Sequence, residues 1–131
     1  MLLTVVLRGN PATKKTSNRV FTNRVTGKVV VAPSEKYALW VRNVSEKLRL
    51  AWITQSGSNK AWEGDVEVQA LFLRVDRRAD LVNLMQALAD LLQYSGVLKN
   101  DSQIKSWDGT RHGLNKFEPC VAMVMRKFEN E

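Results

Sequence analysis

The stretch RADLVNLMQALADLLQYSGVLKNDSQIKSWDGTR, residues 78–111, places Asp80, Asp90, Asp101 and Asp108 in and just beyond one short helical pattern. Three of these, Asp80, Asp101 and Asp108, fall on loops or element ends of an otherwise basic chain. A hard cation such as Mg²⁺ takes carboxylate oxygens, keeps several waters and is held by one or two carboxylates together with substrate phosphate. At a phosphodiester such an ion polarises the phosphoryl oxygen, activates water and stabilises the leaving oxygen. Carboxylates alone repel a nucleic acid, so this chemistry needs basic residues elsewhere to hold the backbone. Each aspartate also has a plain structural reading. Asp80 suits a helix N-cap, where a carboxylate satisfies orphan N–H groups and the positive end of the dipole. Asp90 reads as a solvated carboxylate on the polar side of the helix, while Asp101 after Asn100 and Asp108 before Gly109 are ordinary turn signatures.

The basic partners fall in two groups. Lys14, Lys15, Arg19 and Arg24 form an arm near the start of the chain, and Arg74, Arg77 and Arg78 form a cluster just before Asp80. Arg111 follows the last aspartate. Basic clusters are usually solvated surface, but proximity in sequence to the acids makes phosphate contact the better reading here. Asn83 and Gln103 are candidates for supporting the acids, although asparagine in a first helical turn more often bonds local backbone. His112, the one histidine, reads as a surface loop residue ahead of a phosphate contact or a general base. Trp40 and Trp52 belong to a helical core stripe. Trp62 and Trp107 sit near loops, where packing outweighs stacking on an unpaired base.

The elements that must position these residues follow from periodicity. Leu2 to Leu7 is a short apolar run fit for a strand, and Arg19 to Val31 reads as a hairpin turning at Thr26, Gly27 and Lys28. After Pro33, Ser34 is an N-cap, and Tyr37, Trp40, Val41, Val44, Leu48, Ala51 and Trp52 recur at helical spacing through Ile53. Val66, Val68, Ala70 and Phe72 alternate against polar neighbours, predicting a strand buried on one face that becomes apolar on both sides at Leu71 and Leu73. A second helix opens at Asp80, carries Leu81, Leu84, Leu88, Leu91 and Leu92 as its core stripe, and ends near Ser95 and Gly96. Phe117 to Lys127 reads as a strand starting near Pro119, covered on both faces. The order predicts an α/β or α+β domain: a single mixed sheet of four to five strands with two main helices packed on it.

With 131 residues and 44% apolar content, the chain supports one core and a single domain over residues 1–131. A formal charge of +7 and a pI near 9.9 favour a polyanionic partner. The single Cys120 excludes a disulfide framework and reads as a buried thiol in a reducing compartment. MLLTVVLRG has too short an apolar run for a signal peptide or a membrane span, so an intracellular, soluble protein is expected.

The stretch resembles the RusA family of Holliday junction resolvases, small endonucleases of bacteria and their phages. In that family an Arg-rich segment leads into a D-L-D-N-L helix start, and the helix is followed by a G-x-x-x-D-D-x-Q-[IV] turn. This chain has RRADLVNL and then GVLKNDSQI. The match is tight from Arg74 to Gly113. Upstream it is looser, where GNPATKKTSNR is similar to a Gly-x-Pro followed by basic residues and VVVAPSEKY is similar to the run into the family's first helix. The resemblance implies a dimeric, Mg²⁺- or Mn²⁺-dependent nuclease cutting symmetrically across four-way DNA junctions, in the cytoplasm of a bacterial or phage-infected cell. It assigns catalytic roles to Asp80 and Asp101. Val82 stands where the motif has its second catalytic aspartate, Gln86 where it has a lysine, and Asn100 where the turn has its first acid. Phage-type sequences with a non-acidic residue at the Val82 position can carry a D-G-[ST]-R stretch similar to WDGTR, so Asp108 is expected to replace the missing carboxylate and join Asp80 and Asp101 as metal ligand. The alternative is a junction-binding protein of the same fold with impaired cleavage, which Val82 and Gln86 favour. A basic RNA-binding domain is a third reading, disfavoured by the acids.

Overall fold

The computed structural model describes residues 2–14, 19–22, 24–32 and 35–129. Lys15, Pro33 and Ser34 lie outside the described residues, as does the side chain of Arg19. The chain runs β1 (Leu2–Arg8), β2 (Arg19–Thr22), β3 (Val29–Ala32), α1 (Glu35–Ser56), β4 (Val66–Arg74), α2 (Leu81–Tyr94), a 3-10 turn (Asp101–Gln103), β5 (Ile104–Ser106), β6 (Arg111–Leu114) and β7 (Cys120–Lys127). Five strands form one mixed sheet, in keeping with the α+β class: β1 and β4 flank β7 antiparallel, and β4 carries β5 and β6 in parallel along its other edge. The hairpin β2–β3 forms a separate two-stranded sheet.

The alternation in β4 does what it predicts. Val66, Val68, Ala70 and Phe72 are buried on the face that the helices cover. Facing them from β7 are Val121, Met123 and Met125, and from β1 Leu3 and Leu7. Helix α1 lays Tyr37, Trp40, Val44, Leu48 and Trp52 onto this layer, and α2 adds Leu84, Ala87, Leu88, Leu91 and Leu92. Each fully buried leucine contributes about 1.5–3 kcal/mol, so the leucine stripe of α2 holds that helix, and the acids around it, in place. Trp52 stacks against Trp62 with ring centroids 5.5 Å apart, and Trp107 packs on the core, so these aromatics serve packing.

The other face of the sheet is not covered by either helix. Leu2, Val6 and Leu71 are exposed on it, and Ala122 and Val124 are half-buried. The expectation that β7 is covered on both faces is therefore corrected: β7 is central in the sheet, but only alternate residues reach the core. Cys120 shares the open face and is half-buried instead of buried. The last strand begins at Cys120, next to Pro119 as expected, and Phe117 stands 94% exposed in the preceding bend. Helix α1 runs past Ile53 to Ser56, where Gln55 donates to the Thr4 carbonyl at 2.7 Å and accepts from the Thr4 N–H at 3.0 Å, covering the free edge of β1. Helix α2 ends as expected: Ser95 is the C-cap and Gly96 takes a left-handed φ of 81°. A Cβ at Gly96 would lie 2.6 Å from the Arg49 guanidinium, which donates to the Ser95 carbonyl at 3.1 Å.

Candidate nucleic-acid interface and its carboxylates

Asp80 sits at the N-cap of α2 in extended conformation (φ −75°, ψ 143°), but its side chain makes no capping hydrogen bond. Its backbone carbonyl accepts from the Leu84 N–H at 3.1 Å, and the carboxylate is left exposed. The capping role that its position suggests is thus not taken up by the side chain.

Asp101 is held differently. Asn100 caps the 3-10 turn by accepting from the Ser102 N–H at 2.8 Å, which explains why asparagine serves at this position as well as an acid. Gln103 staples the turn to the strand region before β4. Its side-chain oxygen accepts from the N–H groups of Lys99 and Asn100 at 2.9 and 3.1 Å, and its amide donates to the carbonyls of Trp62 and Gly64 at 3.0 and 2.8 Å. Gln103 therefore supports Asp101 through backbone geometry. The Asp101 N–H donates to the Gln93 side chain at 3.0 Å, turning the carboxylate toward α2. There Gln86 Nε2 donates to Asp101 Oδ2 at 3.4 Å and to Asp90 Oδ1 at 3.0 Å.

Asp90 is the residue that sequence reasoning passed over as merely solvated. Lys14 Nζ lies 3.8 Å from its Oδ2 and 5.5 Å from the centroid of the Tyr37 ring. With 54% and 32% side-chain exposure the ion pair contributes at most about 1 kcal/mol, so its significance is positional: it lays the basic arm on the acid-bearing face of α2. The phenol of Tyr37 is pushed above its ordinary pKa, first by burial and then by the Asp90 charge. A groove of about 210 Å³ runs along this face, lined by Lys14, Val82, Asn83, Gln86 and Asp90 among others. Val82 and Gln86, one helical turn apart, both line this groove.

Asp108 is exposed in the turn between β5 and β6, where its N–H donates to Ser106 Oγ at 3.3 Å. The next residue, Gly109, has φ 82° and stands so close to Gln69 that a Cβ would meet its amide nitrogen at 2.8 Å. Asp108 is not among the residues lining the groove of Val82 and Gln86. Among the described residues no three Asp, Glu, His or Cys side chains converge in a way that holds a metal ion. Asp80, Asp101 and Asp108 thus do not fit a cation as a three-ligand set in this structure.

The basic residues divide. Arg74 points inward: its side chain is 12% exposed, and it donates to the Pro11 carbonyl at 2.8 Å and to Asp76 Oδ1 at 2.6 Å. It is a structural tie between two loops, which corrects its reading as a phosphate contact. Arg77 and Arg78 are exposed and, among the described residues, make no ion pair. Arg24 is exposed in the hairpin turn, and Arg111 lies on the open face of the sheet, opposite Leu71. His112 is a further correction. It belongs to strand β6, not a surface loop, with its ring half-buried and Nε2 buried without a partner among the described residues. None of the described helices is long and apolar enough to cross a membrane. Comparison with known proteins found no family model and no curated protein that matches this chain.

Proposed function

We propose that this chain is a RusA-like endonuclease that binds four-way DNA junctions and cleaves them with Mg²⁺, or with Mn²⁺ in its place. The observation that carries the reading is the meeting of three segments distant in sequence. Lys14 of the basic arm, Gln86 and Asp90 of α2, and Asp101 of the following turn lie on one helix face joined by contacts of 3.8, 3.0 and 3.4 Å. These are the segments in which the sequence resembles the family. Exposed Arg77 and Arg78, leading into a carboxylate at Asp80 that caps nothing, suit a phosphate backbone passing the start of α2. A hard cation would be recruited by Asp80 and Asp101 together with the phosphate it serves, since such ions rely on substrate oxygens and water for much of their coordination. Symmetric cutting requires a two-fold dimer, and the uncovered sheet face with Leu2, Val6 and Leu71 is the apolar surface available to a second copy.

A second reading, a branched-DNA-binding protein of the same fold with impaired cleavage, is favoured by one observation. The groove that runs past Gln86 presents Val82, 72% exposed, where the motif has an acid. Incubating a labelled four-way junction with the protein and Mg²⁺ or Mn²⁺ decides between them. The nuclease reading expects paired symmetric nicks that vanish in Asp80→Asn and Asp101→Asn while junction binding persists. Tight junction binding with no nick in either metal establishes the second reading. Asp108→Asn tests the third expected ligand: undiminished cutting removes Asp108 from the site, whereas loss of cutting that Val82→Asp restores places both positions on the same cation.

A further inference from the structure

A second pocket, of about 410 Å³, lies where the loop after β1, the loop after β4 and the first turns of α1 meet. Its frame is built by specific bonds. Arg74 donates to the Pro11 carbonyl, the Val75 N–H donates to Asn10 Oδ1 at 3.1 Å, and Asp76 Oδ1 accepts from Arg74 and, at 3.0 Å, from the Arg78 N–H. These bonds neutralise Arg74 with Asp76 inside the wall. The remaining charged lining is all basic: Arg8, Lys36 and Arg78, each exposed and, among the described residues, without an ion pair. Trp40 also lines the pocket, and its Nε1–H is one of two buried side-chain polar atoms without a hydrogen-bond partner among the described residues. Indole nitrogen is a donor only, so what this group lacks is an acceptor. A buried donor without a partner is uncommon because the lost hydration is not replaced.

We propose that this pocket is a phosphate-binding site, in which Arg8, Lys36 and Arg78 supply charge and the Trp40 indole N–H and Asn43 amide supply donors. An anion with several acceptor oxygens answers both the uncompensated charge and the orphan donor, which a cation or an apolar ligand does not. The phosphate belongs to a nucleic-acid strand, an assignment that rests on the junction reading above. Arg78 links the pocket to the start of α2, two residues before Asp80, so a strand anchored here is directed toward the acids.

The test uses the indole N–H signals of the intact ¹⁵N-labelled protein. Its four tryptophans include an internal control, Trp52, whose Nε1–H already donates to the Lys60 carbonyl at 2.9 Å. Titration with inorganic phosphate, against chloride at equal ionic strength, is expected to move the Trp40 signal saturably and leave Trp52 in place. Arg8→Gln and Lys36→Gln should each weaken that saturation at least threefold, with the Trp52 signal reporting that the fold is retained. A Trp40 signal that ignores phosphate, follows chloride equally, or saturates unchanged in both variants overturns the site. Four-way junction DNA is expected to move the same signal in the same direction. Junction binding seen by fluorescence anisotropy without movement at Trp40 overturns the strand assignment in favour of a free phosphate or nucleotide. Failure of the protein to bind junctions at all would refute the junction reading, while the inorganic phosphate titration would still judge the pocket by itself.

Discussion

Gln86 and Asp101 are fifteen residues apart in sequence, yet the Gln86 amide lies 3.4 Å from the Asp101 carboxylate while also holding Asp90 at 3.0 Å. A neutral donor thus stands between two negative charges, at the position where the family motif has a lysine. The pair links helix α2, which Asp80 precedes, to the turn that carries Asp101.

Replacing Gln86 by lysine puts a cation between those carboxylates. On an exposed helix face the gain is about 0.5–1 kcal/mol, screened by salt. Gln86→Lys should therefore raise the urea midpoint at low ionic strength and lose that advantage in 1 M salt. Val82→Asp, at a 72% exposed position, should change stability by less than about 0.5 kcal/mol and raise metal-dependent cutting at least tenfold. A double variant no more active than the native chain would count against this groove as the cutting site.

Junction affinity should fall log-linearly with salt. Removing a cation that contacts one phosphate lowers the magnitude of the slope by about one. Arg77→Gln and Arg78→Gln should each show that decrement in an anisotropy series from low to physiological salt. Arg74→Gln should instead reduce stability by about 1–3 kcal/mol, because it leaves the Pro11 carbonyl and Asp76 without their charged donor. If Arg74→Gln alters the salt slope and not the denaturation midpoint, its assignment as a structural tie is wrong.

The Asp76 carboxyl is held below its ordinary pKa, first by the Arg78 N–H that it accepts and then, against an opposing desolvation effect, by the Arg74 guanidinium. A carboxyl with a depressed folded-state pKa stabilises the fold above its unfolded value of about 3.9 and loses that contribution as pH falls through the folded value. Acid titration of stability should show this loss below about pH 4, and Asp76→Asn should flatten that part of the curve. Identical acid limbs in both proteins would contradict the pairing.

Among the described residues, the open sheet face presents an apolar surface to a second copy. On α2, Ala89 is buried and Val82 is exposed beside the acids. Val6 and Leu71 stay exposed on the open sheet face, flanking half-buried Ala122, to which β1 and β4 register both residues. Sedimentation at micromolar concentration should show a dimer for the native chain and a monomer for Val6→Lys/Leu71→Lys. A native chain that sediments as a monomer with junction DNA present would rule out the symmetric arrangement.

The elements whose burial is periodic are legible in the residue order alone. The leucine spacing from Leu81 to Leu92 and the glycine after Ser95 bound α2, and the alternation from Val66 to Phe72 set which face of β4 meets the core. Such patterns are legible because one face of a regular element must leave water, and the repeat of the element fixes which residues do so. Strands β5 and β6 are only three and four residues long and exist because β4 offers them an edge, so no local pattern announces them. The same holds for the acids. Residue type marked Asp80, Asp101 and Asp108 as equals, but the stapling of the turn by Gln103 brought Asp101 to Gln86 and Asp90, while Asp108 went to the turn beyond β5. Likewise the sequence marked Arg74 and Arg78 as members of one basic cluster, and only the Pro11 carbonyl and Asp76 decided that the first turns inward and the second stays in solvent. Which charges meet is set by hydrogen bonds between segments far apart in the chain, and those depend on how strands and helices dock.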